Sequence, residues 1–342
     1  MKKAPAPNRF ASAAAYGGGG LSVLGGSLYA LLRAEAKLAR RAIGNADNRV
    51  PDATGWYGRG RPGPAIKIAL LGDSSAAGYG VDSVEETPGA RLGAGVAAAG
   101  NRRVHVREFA VVGAQTSDLD AQIDLALPTG PDIAVVLIGA NDVTHTVRPA
   151  TSVRLLAAAV RRLREAGVAV VVGTCPDLGT VRPIPQPLRQ IAKAWSRKLA
   201  AAQMVVVVEE GGRAVSLGSI LGPEFDAAPA ILFGPDRFHP SAAGYASLAA
   251  VLVPSVLASL GLAPDDEVHP EALRGEGILP VRSAAAHATR HPGTEVGGTE
   301  LGAESRDGRG RWAMLMRRRR HAPTDDEAPQ ENEDAEDAAA VE

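Results

Sequence analysis

Five short runs of apolar, largely β-branched residues punctuate the chain: Ile66–Leu71, Val104–Val112, Ile133–Ile138, Val168–Val172 and Met204–Val208. Between them the apolar positions recur at helical spacing, around 85–99, 117–126, 150–166 and 187–202, with a last such stretch at 241–260. Continuous apolar strands belong to a parallel sheet buried on both faces, where alternation of polar and apolar residues is lost. Strand–helix alternation with right-handed crossovers then gives a three-layer α/β/α sandwich. Five strands favour the flavodoxin-like order 2-1-3-4-5 over a larger Rossmann sheet.

The same texture marks the boundaries. Residues 65–262 hold the α/β pattern and form the expected folded domain. Residues 46–64, rich in Gly, Pro and Arg around Trp56 and Tyr57, read as a linker. Residues 263–342 lose all periodicity and end in the basic run Arg317–Arg320 and an acidic stretch, the composition of a disordered charged tail. At the other end, residues 1–45 carry an uncharged stretch from Phe10 to Leu32. That is long enough to cross a bilayer, but Gly-rich and only weakly hydrophobic. Arg33, Lys37, Arg40 and Arg41 follow it, so an amphipathic surface helix is a second reading, a helix packed on the domain or a floppy segment is the alternative to both, and no signal-peptide cleavage site stands out. Residues 10–43 are therefore the expected membrane contact, and a membrane or cell-envelope location is favoured over the cytoplasm.

Composition narrows the chemistry. The net charge of −1 and an aromatic content of 4% argue against nucleic acid as the partner. The single cysteine, Cys175, excludes an internal disulfide and a cysteine metal cluster, and reads as a small buried thiol. No GxxxxGK[ST] is present, and Gly78-Tyr79-Gly80 does not continue as a dinucleotide fingerprint.

In an open parallel sheet, ligands bind beyond the carboxyl ends of the strands, where the strand order reverses. Three adjacent strands end there in Gly72-Asp73-Ser74-Ser75, Gly113-Ala114-Gln115-Thr116 and Gly139-Ala140-Asn141-Asp142. Ser74 stands at a strand-to-helix turn, with its hydroxyl exposed and helix N-terminal amides aimed at the site. A serine hydroxyl needs an adjacent base to become a nucleophile. His239, within Asp236-Arg237-Phe238-His239-Pro240 ahead of the last helix, is the best-placed of the seven histidines. Pro240 suits the first helical position, and Asp236 is close enough to orient the imidazole. The Gly113 amide and the Asn141 side chain are candidate donors to a developing oxyanion. Asp73 and Asp142 read as structural, Ser75 as the local rival nucleophile, and His145 and Asp177 as residues that could line the crevice.

Four blocks carry a family resemblance: LGDSSAAGYGV (71–81), AVVGAQTSDL (110–119), VVLIGANDVTH (135–145) and DRFHPSAAGYASLA (236–249). In this order and setting they resemble the blocks of the SGNH, or GDSL-type, hydrolases over roughly residues 66–262. The resemblance implies a serine esterase, lipase, thioesterase or carbohydrate deacetylase on a flavodoxin-like fold, without metal or cofactor, acting on a small-molecule ester or one linked to lipid or carbohydrate. It implies Ser74 as nucleophile and, through its N–H, as an oxyanion donor beside Gly113 and Asn141, with His239 as base and Asp236 as its orienter. Two positions depart from the family pattern: Ser75 replaces the usual Leu, and Glu108-Phe109 stands where the second block often opens with Asn. An acyltransferase using the same serine, and a non-catalytic binding module, are the alternative readings. The segment Glu210–Pro235, Gly- and Ala-rich, reads as an irregular insert without a bulky lid, and so as an open site for small or flexible acyl groups.

Overall fold

A computed structural model describes residues 26–39, 41–43, 50–262 and 295–296. Its sheet has five parallel strands at its centre: β2 (Ile66–Gly72), β3 (Val104–Glu108), β4 (Ile133–Leu137), β5 (Ala169–Gly173) and β6 (Arg213–Val215). Their spatial order is β3-β2-β4-β5-β6, the expected 2-1-3-4-5. Two short antiparallel strands, β1 (Gly55–Tyr57) and β7 (Glu295–Val296), extend its edges. β4 is buried at every position and β2 at all but Lys67, which is why neither alternates in sequence.

Helix α1 covers residues 26–39. α2 (Ser74–Ala77) and α3 (Pro88–Gly100) follow β2, and α4 (Leu119–Ala126) follows β3. α5 (Ala140–Thr144) and α6 (Pro149–Glu165) follow β4, and α7 (Leu188–Glu209) follows β5. Beyond β6 come α8 (Leu217–Ile220), α9 (Gly222–Ala227), α10 (Pro229–Leu232) and α11 (Ala242–Ser259). One sheet face packs Leu92 and Val96 of α3 and Tyr245, Leu252 and Val256 of α11 against Ile68, Leu70 and Val135. The other packs Ile123, Leu156, Leu163, Met204 and Val207 against Leu71, Val136 and Val172. Helix α11 is long and apolar enough to cross a membrane, yet its Tyr245, Leu252 and Val256 belong to this core, so it is a core helix.

Three expectations need correction. Met204–Val208 is not a strand: it is the last turns of α7, and the fifth strand is Arg213–Val215. Its valines are β-branched, but the run continues a helical period in which Leu199, Gln203, Met204 and Val207 face inward, and packing overrides intrinsic preference. The supposed linker 46–64 holds β1, paired with β3 through Gly55–Val106 and Tyr57–Val104. Glu210–Pro235 is not irregular, since it carries β6 and the short helices α8 to α10. Most of the expected tail 263–342 lies outside the described residues; within it, Glu295 and Val296 pair with β6. The uncharged stretch up to Gly25 also lies outside them.

Candidate active site

The nucleophile candidate is placed by a close approach of two strand ends. Gly72 has φ +136°, and a Cβ there would stand 1.9 Å from the Leu137 carbonyl oxygen, so only glycine fits. The next residue, Asp73, donates its N–H to that carbonyl at 3.0 Å and caps α2, its carboxylate accepting from the Ser75 N–H at 2.9 Å. Ser74 thus begins α2 at the carboxyl end of β2, largely buried but facing a cavity. Gln122, from α4, bonds both the N–H and the C=O of Gly72 (2.7 and 2.9 Å), satisfying the strand end where the ladder stops.

The partner loop is held just as closely. The Gly234 N–H donates to the His239 carbonyl at 2.8 Å, and Phe233 and Pro240 form an isolated antiparallel bridge. α11 is capped by Ser241, whose hydroxyl accepts from the Gly244 N–H, so Pro240 precedes the cap and is not the first helical residue. One oxygen of Asp236 accepts from the N–H groups of Phe238 and His239 (2.9 and 3.0 Å). The other lies 2.6 Å from His239 Nδ1, and His239 Nε2 lies 2.9 Å from Ser74 Oγ. These bonds assign the tautomer: Nδ1–H donates to Asp236, and Nε2 accepts from the serine hydroxyl.

Charge follows from this wiring. Burial alone would raise the Asp236 carboxyl, but the imidazole and the two backbone N–H groups outweigh it and hold the group below the usual carboxylate range. Asp73, fully enclosed, goes the other way: burial pushes it up to about 6, against the opposing Ser75 amide and nearby His239. Ser75 meets Asp73 through its backbone N–H, whereas Ser74 Oγ is the hydroxyl that meets the imidazole.

The remaining sequence candidates divide. Asn141 lines the same cavity, and its Nδ2 donates to the Ala114 carbonyl at 3.0 Å, tying the β4 and β3 loops together. Asp142 is buried and gathers the Thr116 N–H and hydroxyl and the Ser152 hydroxyl, the last two at 2.8 and 3.0 Å. Gly113 sits in that tethered loop with φ +84° but is exposed and outside the cavity lining. Asp177 lines the cavity and pairs with Arg197. His145 does not: it is exposed at the end of α5, its Nδ1 2.9 Å from the Asn141 carbonyl oxygen. Cys175 is buried, and burial raises its thiol far out of the reactive range.

Sequence reasoning missed the aromatic packing around His239. The rings of Tyr79 and Phe238 lie 4.5 and 4.9 Å from the imidazole, centre to centre. Tyr245, fully buried in α11, donates its hydroxyl to the Tyr79 carbonyl at 2.7 Å. It also missed the cavity, about 880 Å³ including its open mouth, which runs from Ser74 and His239 between two walls. Leu178 and Val181 stand on one wall, and Leu217, Leu221, Phe225 and Phe233 on the other. Two tyrosines and a phenylalanine in the blocks already quoted were the available signals for the first; nothing local in the sequence marked the second.

With the geometry in place, comparison with known proteins is decisive on kinship. Residues 70–247 match the model of the GDSL-like lipase/acylhydrolase family. The chain belongs to that family. A GDSL-like esterase of Mycobacterium tuberculosis is 42% identical over 234 residues, covering 65% of this chain and 74% of the relative. Solved structures similar to it include an acetylxylan esterase from Geobacillus stearothermophilus, in a catalytic-mutant form, at 17% identity and a TM-score of 0.46, covering 58% and 97% of the two chains. Another is a lipase/acylhydrolase from Enterococcus faecalis, at 24% identity and 0.44, covering 55% and 93%. As a GDSL-family member, the protein is a hydrolase of ester bonds, and its α/β sheet is of the class expected for the family.

Proposed function

We propose that the protein hydrolyses carboxylic esters through an acyl-enzyme on Ser74, with His239 as general base and Asp236 as its orienter. The observation that carries this reading is the unbroken chain from Ser74 Oγ to His239 to Asp236, at 2.9 and 2.6 Å, at one end of an apolar cavity. As Oγ bonds to the ester carbonyl carbon, its proton passes to His239 Nε2, and Asp236 stabilises the imidazolium. The oxyanion is received by the Ser74 N–H and by the second N–H of Asn141 Nδ2, whose first serves Ala114; Gly113, exposed outside the cavity lining, would have to turn its N–H inward to join them. The imidazolium then protonates the departing alcohol. Water, activated by the same imidazole, releases the acid.

The cavity beside Ser74 supports an acyl chain of several carbons as the bound portion, because its walls are Leu, Val and Phe side chains and few polar atoms. Mixing the enzyme with excess p-nitrophenyl butyrate and quenching with acid within the first turnovers tests the mechanism. An added acyl mass on the Ser74 peptide, absent in Ser74→Ala, is expected. Turnover with no adduct in the wild type or in a His239→Ala variant would speak for direct attack by water.

We further infer that residues 10–43 bring the enzyme to a membrane surface. In α1, Leu28, Tyr29, Leu31 and Leu38 are exposed while Glu35 and Ala39 face the domain, and Arg33 and Lys37 supply positive charge. Removing residues 1–45 should move the protein from the membrane fraction to the soluble one; an unchanged distribution would end this reading.

A further inference from the structure

Two chain segments form the walls of the cavity, and they meet far from each other in sequence. One is the β5–α7 connection, which contributes Pro176, Asp177, Leu178, Thr180 and Val181. The other is α8 to α10, which contributes Leu217, Leu221, Phe225 and Phe233 through α10's following residue. The first wall is pinned at both ends. Asp177 is buried, accepts from the Gly179 N–H at 2.8 Å and pairs with Arg197 of α7 at 2.8 Å. At the far end Glu35 of α1, also buried, caps α7 by accepting from the Leu188 N–H at 2.9 Å.

Between those pins, one side chain crosses to the other wall. Arg182 Nη2 donates to the carboxylate of Asp226 at 2.6 Å and to its backbone carbonyl at 3.3 Å. Each partner directly follows a residue that lines the cavity: Arg182 follows Val181, and Asp226 follows Phe225. Joining Arg182 to Asp226 therefore fixes the separation of Val181 and Phe225. Both partners are half exposed (50% and 57%), so the pair contributes little to stability and is weakened by salt. A contact of that kind, placed across a cavity and between two pinned ends, suits a latch better than a brace.

We propose that the Arg182–Asp226 pair is a clasp that limits the length of acyl chain the cavity accepts. The proposal rests on reading the cavity as the acyl site. Opening the clasp lets the β5–α7 wall move outward between its pins, adding room beside Val181 and Phe225 for further methylenes. The half-exposed pair holds the wall only weakly, so opening it changes the relative acceptance of long and short chains by about fivefold at most, which parallel ester assays resolve.

The test compares p-nitrophenyl esters of acids with two to sixteen carbons on wild type, Arg182→Ala, Asp226→Ala and the exchanged pair Arg182→Asp/Asp226→Arg. The ratio of kcat/KM for the twelve-carbon ester to that for the four-carbon ester is expected to rise by up to about fivefold in each single variant, the most that a half-exposed pair can hold back. It should return toward the wild-type value in the exchanged pair, and rise in wild type but not in Arg182→Ala when salt is increased. A ratio unchanged in both single variants, or raised equally in all three, would overturn the clasp. A second measurement separates this from the chemistry: binding of the free four- and twelve-carbon acids to Ser74→Ala, with and without Arg182→Ala, by displacement of a fluorescent probe. A binding ratio that shifts without any ester turnover by wild type would uphold the clasp and defeat the hydrolase reading. Turnover with neither ratio shifting would do the reverse.

Discussion

The loops that bring Ser74 and His239 together each contain an aspartate close to one of that pair, and the two carboxyls are treated in opposite ways. Asp236 receives an imidazole N–H and two backbone N–H groups, and is held ionised below the usual range despite its burial. Asp73 is enclosed on every side with fewer donors, and burial raises it to about 6. Three donors aimed at a carboxylate outweigh desolvation; fewer, in a deeper site, do not. The first arrangement suits a group that must stay charged while a proton moves next to it. The second suits a cap that fixes the helix that begins with Ser74.

Ser74→Ala should remove the most: a fall of ~10⁴ or more in kcat, with KM for p-nitrophenyl butyrate little changed, read by steady-state kinetics. Asp236→Asn should follow, at about 10²–10⁴, because an amide can leave the imidazole in the wrong tautomer. Its folded carboxyl is depressed, so the stability that Asp236 supplies is present above the ordinary carboxylate pKa and is lost as pH falls through the depressed value. Asp73→Asn should cost only about tenfold in kcat, since an amide oxygen can still accept from the Ser75 N–H. Here the sign reverses. Folded Asp73 keeps its proton to about pH 6 while the unfolded carboxyl loses it near 3.8, so folded protein binds more protons in that window and stability falls as pH rises through it. The asparagine variant should gain on the order of 2 kcal/mol over wild type at pH 8 relative to pH 4, by urea denaturation.

The smallest effect on activity belongs to Glu108, at the end of β3, whose carboxylate accepts from the Ala53 N–H at 3.2 Å. Burial pushes it up to about 7, with Asp52 adding to the rise. Glu108→Gln should leave turnover unchanged and flatten the decline in melting temperature between about pH 4.5 and 7, where wild type loses stability as the pH rises. A fall in turnover would mean that the β1–β3 edge is coupled to the site.

The parts of this molecule that were legible in sequence are those built from neighbours in the chain. Strand ends rich in Gly, Asp and Asn, and the Asp236–Pro240 loop, carry their geometry locally, and strand order then brings them to one crevice. What was not legible depends on distant packing. The valines at 205–208 read as a strand until α7 is seen to continue through them. Gln122 and Gln203 lie on apolar helix faces, and only the structure shows them satisfying Gly72, Cys175 and the Ile138 carbonyl. The cap of α7 comes from Glu35, 153 residues away. The cavity, likewise, joins a wall from the β5–α7 connection to one from α8 to α10, the latter within a segment whose Gly and Ala content suggested an open site.

The central claim is that Ser74, not its neighbour Ser75, is activated by His239. Treating wild type, Ser74→Ala and Ser75→Ala with a fluorophosphonate and mapping the phosphonylated peptide by mass spectrometry tests it directly. The account predicts one adduct per chain on Ser74, lost in Ser74→Ala and retained in Ser75→Ala. An adduct on Ser75, or none on folded wild-type protein, would contradict it.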